Sequence, residues 1–223
     1  MPFAPLPKLR SELVALSRRL HANGWVANHD GNLSVRLHGE RLLITPTAYS
    51  KADVDDASLL IVDMQGKVLE GRKKPFSELE LHLAAYRARP EVDVVLHAHP
   101  VTATAFGLTG QALSPVAMPE VVVSLGQSIP TVPRAMPKTP ELVKNVEAAA
   151  AQVDAMLLAG NGALTLGPDL NLALLRMELV EHYAKILLAA RQLGPVEPLA
   201  AGDVAKLLEA RKKAGLGPKT QQP

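Results

Sequence analysis

The chain of 223 residues contains no cysteine. That excludes a disulfide framework and thiolate chemistry, so any metal must be held by histidine and carboxylate side chains. Aromatic residues make up only 3%, with Trp25 the single tryptophan. The core must therefore be aliphatic, and a stacking platform for bases is not expected. No uninterrupted apolar run approaches the roughly 20 residues that span a bilayer. The opening "MPFAPLPKLRSEL" also lacks the charged and apolar blocks of a secretory leader, so the expectation is a cytoplasmic protein without a membrane partner. Charge of one sign is scarce too: the formal net charge is +2. The clusters "GRKKP" and "EARKKAG" read as solvated charge on a loop and a tail, so nucleic acid is not an expected partner. The remainder, 48% apolar and 21% charged, is ordinary for a globular chain. One domain over 1–223 is expected, with a partly flexible C-terminal extension over about 195–223.

Leu9, Leu13, Leu16 and Leu20 recur at helical spacing before Gly24, which predicts an amphipathic helix over 8–22. "NLSVRL" and "RLLITP" alternate around a turn at His38-Gly39, and "LLIVDMQGKVLEG" turns at Gln65-Gly66; these read as antiparallel strands. "SELELHLAAYRA" reads as a helix beginning at Ser77, with Ser77 and Glu80 in capping-box spacing and Glu78 in the first turn. "DVVLHAH", β-branched and stopped by Pro100, reads as a strand leading to a helix over "VTATAFGL". "TPELVKNVEAAAA" carries a threonine cap and a proline at the first helical position. "AMLLAGNGALTLG" reads as two strands about a Gly-Asn-Gly turn, "LNLALLRMELVEHYAKILLAARQLG" as a long helix closed by glycine, and "DVAKLLEARKKAG" as a short helix before a polar end that frays. The content is α/β: a central sheet, largely antiparallel in its first half, covered by helices.

Residues two apart on a strand share a face, so in "VVLHAHP" His97 and His99 can project together and share one ion. By itself such a pair is equally two histidines satisfied by hydrogen bonds at a strand end. A catalytic metal needs about three protein ligands and an open position. Glu78 could supply a carboxylate, or could be a solvated residue matched to the dipole of a helix start. Gly31-Asn32, the turn "TPTAYS" and Ser77 form a second group of small polar side chains and backbone amides suited to an anion, although each is also an ordinary turn or cap.

In this order, "GNLSVR", "LLITPT", "KPFSELELHLAAYRARPEVDVVLHAHPVTATAF", "IPTVPRAMPKTPEL" and "DAMLLAGNGALTLG" resemble the class II aldolase/adducin family over roughly residues 8–193. The resemblance implies a three-layer α/β/α sandwich with a central, largely antiparallel sheet. It also implies a homotetramer with active sites at subunit boundaries and a divalent metal, zinc first, with cobalt, manganese or iron as alternatives. Carried onto this chain, the metal ligands are His97, His99 and Glu78, with Asn161 at the position of a third histidine. Glu78 is also the acid/base, and Asn32, Thr47 and Ser77 are the substrate-binding positions. The implied activity is aldolase-type lyase chemistry, cleaving or forming a carbon–carbon bond of a small ketose, sugar phosphate or keto-acid through a metal-stabilised enediolate.

Three residues depart from the family pattern: Asn161 replaces the third histidine, Ala48 a glycine and Phe76 a serine. Asn161 can ligate weakly, hold a water or complete the turn. No tyrosine follows residue 183 to act as the acid that family aldolases use. A related epimerase or dehydratase, or an adducin-like assembly module with a decayed metal site, are the alternative readings. A Schiff-base aldolase needs a desolvated lysine, and Lys51, Lys73 and Lys74 lie in polar stretches of sequence. His82, four residues after Glu78, is expected on the same helical face, orienting the carboxylate or reaching the ion. His29 is expected in a solvent-exposed loop, and His182 in the core or at a subunit contact.

Overall fold

The computed structural model describes residues 5–136 and 138–219. Among these residues eight strands form one sheet: β1 (Asn32–Leu37), β2 (Arg41–Ile44), β3 (Leu60–Asp63), β4 (Val68–Glu70), β5 (Val94–Ala98), β6 (Thr131–Val132), β7 (Ala155–Leu158) and β8 (Ala163–Gly167). Their spatial order is β4-β3-β2-β1-β5-β8-β7-β6. The sheet is mixed, which corrects the largely antiparallel sheet expected from sequence. β6 runs parallel to β7, while the β1–β2, β1–β5 and β5–β8 pairings at the centre are antiparallel. A two-residue strand is too short to show any alternation, so β6 left no pattern to read.

Among the described residues, seven α-helices cover the sheet: α1 (Leu6–Ala22), α2 (Leu79–Ala88), α3 (Val101–Leu108), α4 (Pro119–Leu125), α5 (Pro140–Ala150), α6 (Leu170–Leu193) and α7 (Ala201–Lys213). The strands alternate between two cores, as their period of two requires. Leu33, Val35, Leu96 and Leu157 pack with α1, α3, α4 and α6 on one face. Leu42, Ile44, Val95, Met156 and Leu164 pack with α2 and α5 on the other. The result is three layers, α/β/α. The leucine stripe Leu9, Leu13, Leu16, Leu20 buries α1 as its spacing predicts. Thr139 caps α5 through the Leu142 N–H, and Gly194 closes α6. The short helix α4 is not among the elements expected from sequence; Pro119 starts it, and Val121 and Val122 are buried. The polar end expected to fray falls partly on 220–223, outside the described residues. Among the described residues no helix is long and apolar enough to cross a membrane.

Asp154, buried just before β7, is the anchor of this assembly. Its carboxylate accepts from Arg89 Nη2 at 3.0 Å and Arg176 Nη2 at 2.8 Å, and also from Arg211 Nη2. Arg89 follows α2, Arg176 belongs to α6 and Arg211 to α7. One side chain thus ties three helices to the start of β7. Arg211 also donates to the Val123 carbonyl at 2.7 Å, linking α7 to α4. Burial and the neighbouring guanidinium of Arg211 draw Arg176 down to about 10, with Asp154 opposing them.

Candidate metal centre

β5 lies inside the sheet, with Asn32 of β1 and Leu164 of β8 opposite His97 on its two sides. His97 points to the α2 face, where Asn32 also lies, and its side chain is fully enclosed. The strand ends at Ala98, and His99 follows in the loop, with its N–H donating to the Trp25 carbonyl at 2.7 Å. The two imidazoles are nevertheless neighbours, with ring centroids 5.0 Å apart. Main chain walls this end of the strand on both sides. A Cβ on Gly31 would come within 2.4 Å of Val26 and 3.0 Å of the His97 carbonyl, and one on Gly162 within 2.3 Å of the Ala98 carbonyl oxygen. Both glycines also have positive φ, +65° and +73°, so only glycine lets these turns approach so closely.

Glu78 stands over His97, but not as expected. α2 begins at Leu79, the Ser77–Glu80 capping box is absent, and Glu78 occupies the residue before the helix with φ −98° and ψ 13°. This sparsely populated bridge conformation is frequent at active sites. It turns the carboxylate away from the helix N-terminus and into the site. Oε2 accepts from Asn32 Nδ2 at 2.8 Å, and Oε1 accepts from Asn161 Nδ2 at 2.5 Å. His97 Nδ1 lies 3.0 Å from Oε2, close but without the alignment of a hydrogen bond. Burial by itself would raise the Glu78 pKa, but the facing His97 and the amides of Asn161 and Asn32 hold it well below the usual carboxylate range. Burial would likewise lower His97, and Glu78 outweighs it and raises the imidazole.

The β7–β8 turn brings Asn161 beside both residues. Its backbone carbonyl pairs with His97 Nε2 at 2.8 Å while its side-chain amide holds Glu78. Sequence spacing gave no sign of this double contact. Asp30 was missed as well: its Oδ2 lies 3.4 Å from His99 Nδ1. His97 Nε2 is thus fixed by the Asn161 carbonyl while its Nδ1 faces Glu78 Oε2 without an aligned hydrogen bond, and His99 Nδ1 faces Asp30 while its Nε2 is buried without a partner. An imidazole that donates from one nitrogen to a carbonyl or carboxylate keeps a lone pair on the other, the arrangement usual for metal-binding histidines. The donor set fits a divalent ion in that respect. Among the described residues, however, no three His, Asp or Glu side chains already converge as a cage. Each Glu78 oxygen accepts one amide N–H and keeps a further lone pair.

The other positions scatter. The Thr47 N–H donates to the Lys74 carbonyl at 2.9 Å, and a bridge between Pro46 and Pro75 lays this turn against the segment leading to Ser77. The hydroxyls of Thr47 and Ser77 make no hydrogen bond among the described residues. Ser77, Glu78, Lys138, Leu142 and Asn161 border a cavity of only about 20 Å³. A roomier one of about 800 Å³ lies elsewhere, against Leu9, Leu16, Leu174 and Asp169. His29 and His182 are both exposed, His29 as expected, and His182 outside the core, which leaves the subunit contact of the two expected positions. Lys51 is the largest surprise: only 1% exposed, it is buried rather than in polar surroundings.

His82 does not bond to Glu78. Its Nδ1 pairs with Ser34 Oγ at 2.7 Å, its Nε2 is unpartnered, and its ring packs on Phe76. Burial, then the charge of His97, pulls it down to about 3. A depressed folded-state pKa means the unfolded chain binds the extra proton. Its contribution to stability is complete above about 6.5 and is lost as pH falls toward 3. Denaturant titrations from pH 7 to 4 should show this fall, and the His82→Gln variant should show a shallower one. An unchanged slope would contradict a neutral buried imidazole.

The family profile of the Class II Aldolase and Adducin N-terminal domain matches residues 11–188, and the chain belongs to that family. Among its relatives, the L-fuculose phosphate aldolase of Escherichia coli K12 is 34% identical over 210 residues, spanning 94% of this chain and 96% of the relative. The 3-oxo-tetronate 4-phosphate decarboxylase of the same strain is 32% identical over 203 residues, spanning 89% and 94%. A solved L-fuculose 1-phosphate aldolase superposes with a TM-score of 0.86 at 28% identity, over 94% of this chain and 98% of that one.

Proposed function

We propose that this chain is a divalent-metal-dependent lyase that breaks or makes a carbon–carbon bond in a small anionic hydroxy-carbonyl compound, a sugar phosphate or keto-acid. The observation that carries this reading is the pair of buried, unpartnered nitrogens on His97 and His99 beside an ionised Glu78. His97 and His99 would hold the ion, Glu78 would stand beside them with lone pairs its amide partners leave free, and the Asn161 carbonyl oxygen would fix the His97 ring. A divalent ion there supplies Lewis acidity toward negative charge developing on substrate oxygens. Glu78 carries the proton between substrate oxygen and carbon, and the amides of Asn32 and Asn161 hold its carboxylate ready as a base. The aldol cleavage and decarboxylation named for the two relatives share one demand. Each leaves an electron pair on the carbon beside a carbonyl. Thr47 and Ser77 offer free hydroxyls for the substrate anion.

Zinc is the first metal to try, then cobalt, manganese and iron. A homotetramer with sites at its subunit boundaries is part of the same reading, supported by the exposed Leu175 and Leu188 on α6; light scattering on the purified protein tests it. Metal analysis of protein purified without added ions, repeated after dialysis against zinc, is expected to give one ion per chain. His97→Ala should lower affinity at least about tenfold. Failure of the native protein to bind zinc, cobalt or manganese at micromolar concentration would overturn the reading and leave an assembly module.

A further inference from the structure

Lys51 sits in a turn four residues after Thr47, and its side chain is enclosed. Burying an ammonium costs several kcal/mol unless its charge and donors are met. Lys51 meets little of that need: of its three N–H groups, one donates to the Tyr49 carbonyl at 3.1 Å, and no carboxylate lies within ion-pair distance among the described residues. The carboxylates whose charge acts on it are Asp30 and Glu78, the two that face His99 and His97. Burial draws the ammonium down to about 8, while Asp30 and Glu78 draw it back up.

The charge balance then points outward. Asp30, Glu78 and Lys51 together carry one negative charge. A divalent ion on neutral imidazoles would reverse that to one positive charge in a water-poor site, a setting that favours an anion. The neutral donors of the anion turn are also reduced in this chain. Phe76 puts an apolar ring beside Ser77 where the family pattern has a hydroxyl, whereas Ala48, at φ +53°, keeps its backbone N–H. We propose that Lys51 is the cation that holds the phosphate or carboxylate of the substrate at this site, compensating for the lost neutral donor. The proposal rests on the metal-lyase reading above. It names the residue that enforces the anionic character of the substrate already part of that reading.

The test uses the zinc-loaded, full-length protein and three probes: dihydroxyacetone phosphate, hydroxypyruvate and neutral dihydroxyacetone, each titrated by calorimetry. The wild type should bind the better of the two anions at least about tenfold more tightly than dihydroxyacetone, and which anion wins separates phosphate from carboxylate. Lys51→Met should erase that advantage while leaving dihydroxyacetone affinity and zinc content unchanged, and Lys51→Arg should restore most of it. Should Lys51→Met not fold, Lys51→Gln, which can still donate to the Tyr49 carbonyl, replaces it. Equal loss for neutral and anionic probes marks a structural lysine and overturns the proposal, as does full retention of anion preference without the charge. Loss of zinc binding by the wild type would instead sink the enzyme reading, so the two failures are distinguishable.

Discussion

Glu78→Gln should lower the rate of proton exchange at the carbon beside a substrate carbonyl by about 10²–10⁴-fold, the range contributed by a positioned general base. The readout is deuterium uptake from solvent into dihydroxyacetone phosphate or hydroxypyruvate, followed by NMR in the zinc-loaded protein. Glutamine matches glutamate in shape, so the fold around it should persist. It differs in two ways that matter: it cannot carry the proton, and its own amide group can accept at only one end. Asn32 and Asn161 both donate to Glu78, so one of them must face another donor in the variant. His97, raised by Glu78 in the native protein, loses its counter-charge. Exchange within about threefold of wild type, with zinc still bound, would assign the base elsewhere.

Asp154→Ala should cost about 3–5 kcal/mol, because three buried guanidiniums would share a space with their common carboxylate removed. Arg89, Arg176 and Arg211 each donate to it. Carbonyl acceptors remain: Ala150 for Arg89, Leu166 for Arg176 and Val123 for Arg211. They satisfy donors without neutralising charge. In a domain of this size each kcal/mol moves Tm by about 2–4 °C, so calorimetry should show a fall of about 6–20 °C. A shift below about 2 °C would mean that water or Glu91, which already pairs with Arg89 at 2.5 Å, takes over the charge. Asn32, His97 and Glu78 lie away from this cluster, so metal content per folded chain should be preserved.

The elements most legible in the sequence were those whose burial is periodic. The stripe from Leu9 to Leu20 and the Gly-Asn-Gly turn between β7 and β8 are local patterns, and the structure keeps them. The histidine pair was legible as neighbours but not as a shared strand face, because the strand ends at Ala98 and His99 meets His97 from the loop. Glu78 was legible as a residue but not as a geometry. Ser-x-x-Glu spacing suggests a cap, and the competing pull of His97, Asn32 and Asn161 takes Glu78 out of the helix. Asp30 and Lys51 were not legible at all. Nothing in "NHDGN" or "AYSKAD" says that these loops fold inward, because their burial is decided by which distant segments meet them. Arg211 is a similar case: in "EARKKAG" it reads as one more solvated charge, and only the position of α7 sends it to Asp154.

The turn that carries Asn161 also bears on redesign. Gly160 and Gly162 take φ of +76° and +73°, whereas residue 161 between them does not have a positive φ. Position 161 therefore imposes no left-handed backbone strain on a side chain, and any residue but proline, which would lose the N–H bond to the Leu158 carbonyl, suits it, while Gly162 is held against Ala98 and His99 and Gly160 against Arg134. The position works as an interchangeable socket in a rigid mount: an imidazole, a carboxylate or an amide can be fitted there, and ligand hardness tuned, without rebuilding the scaffold that aims it.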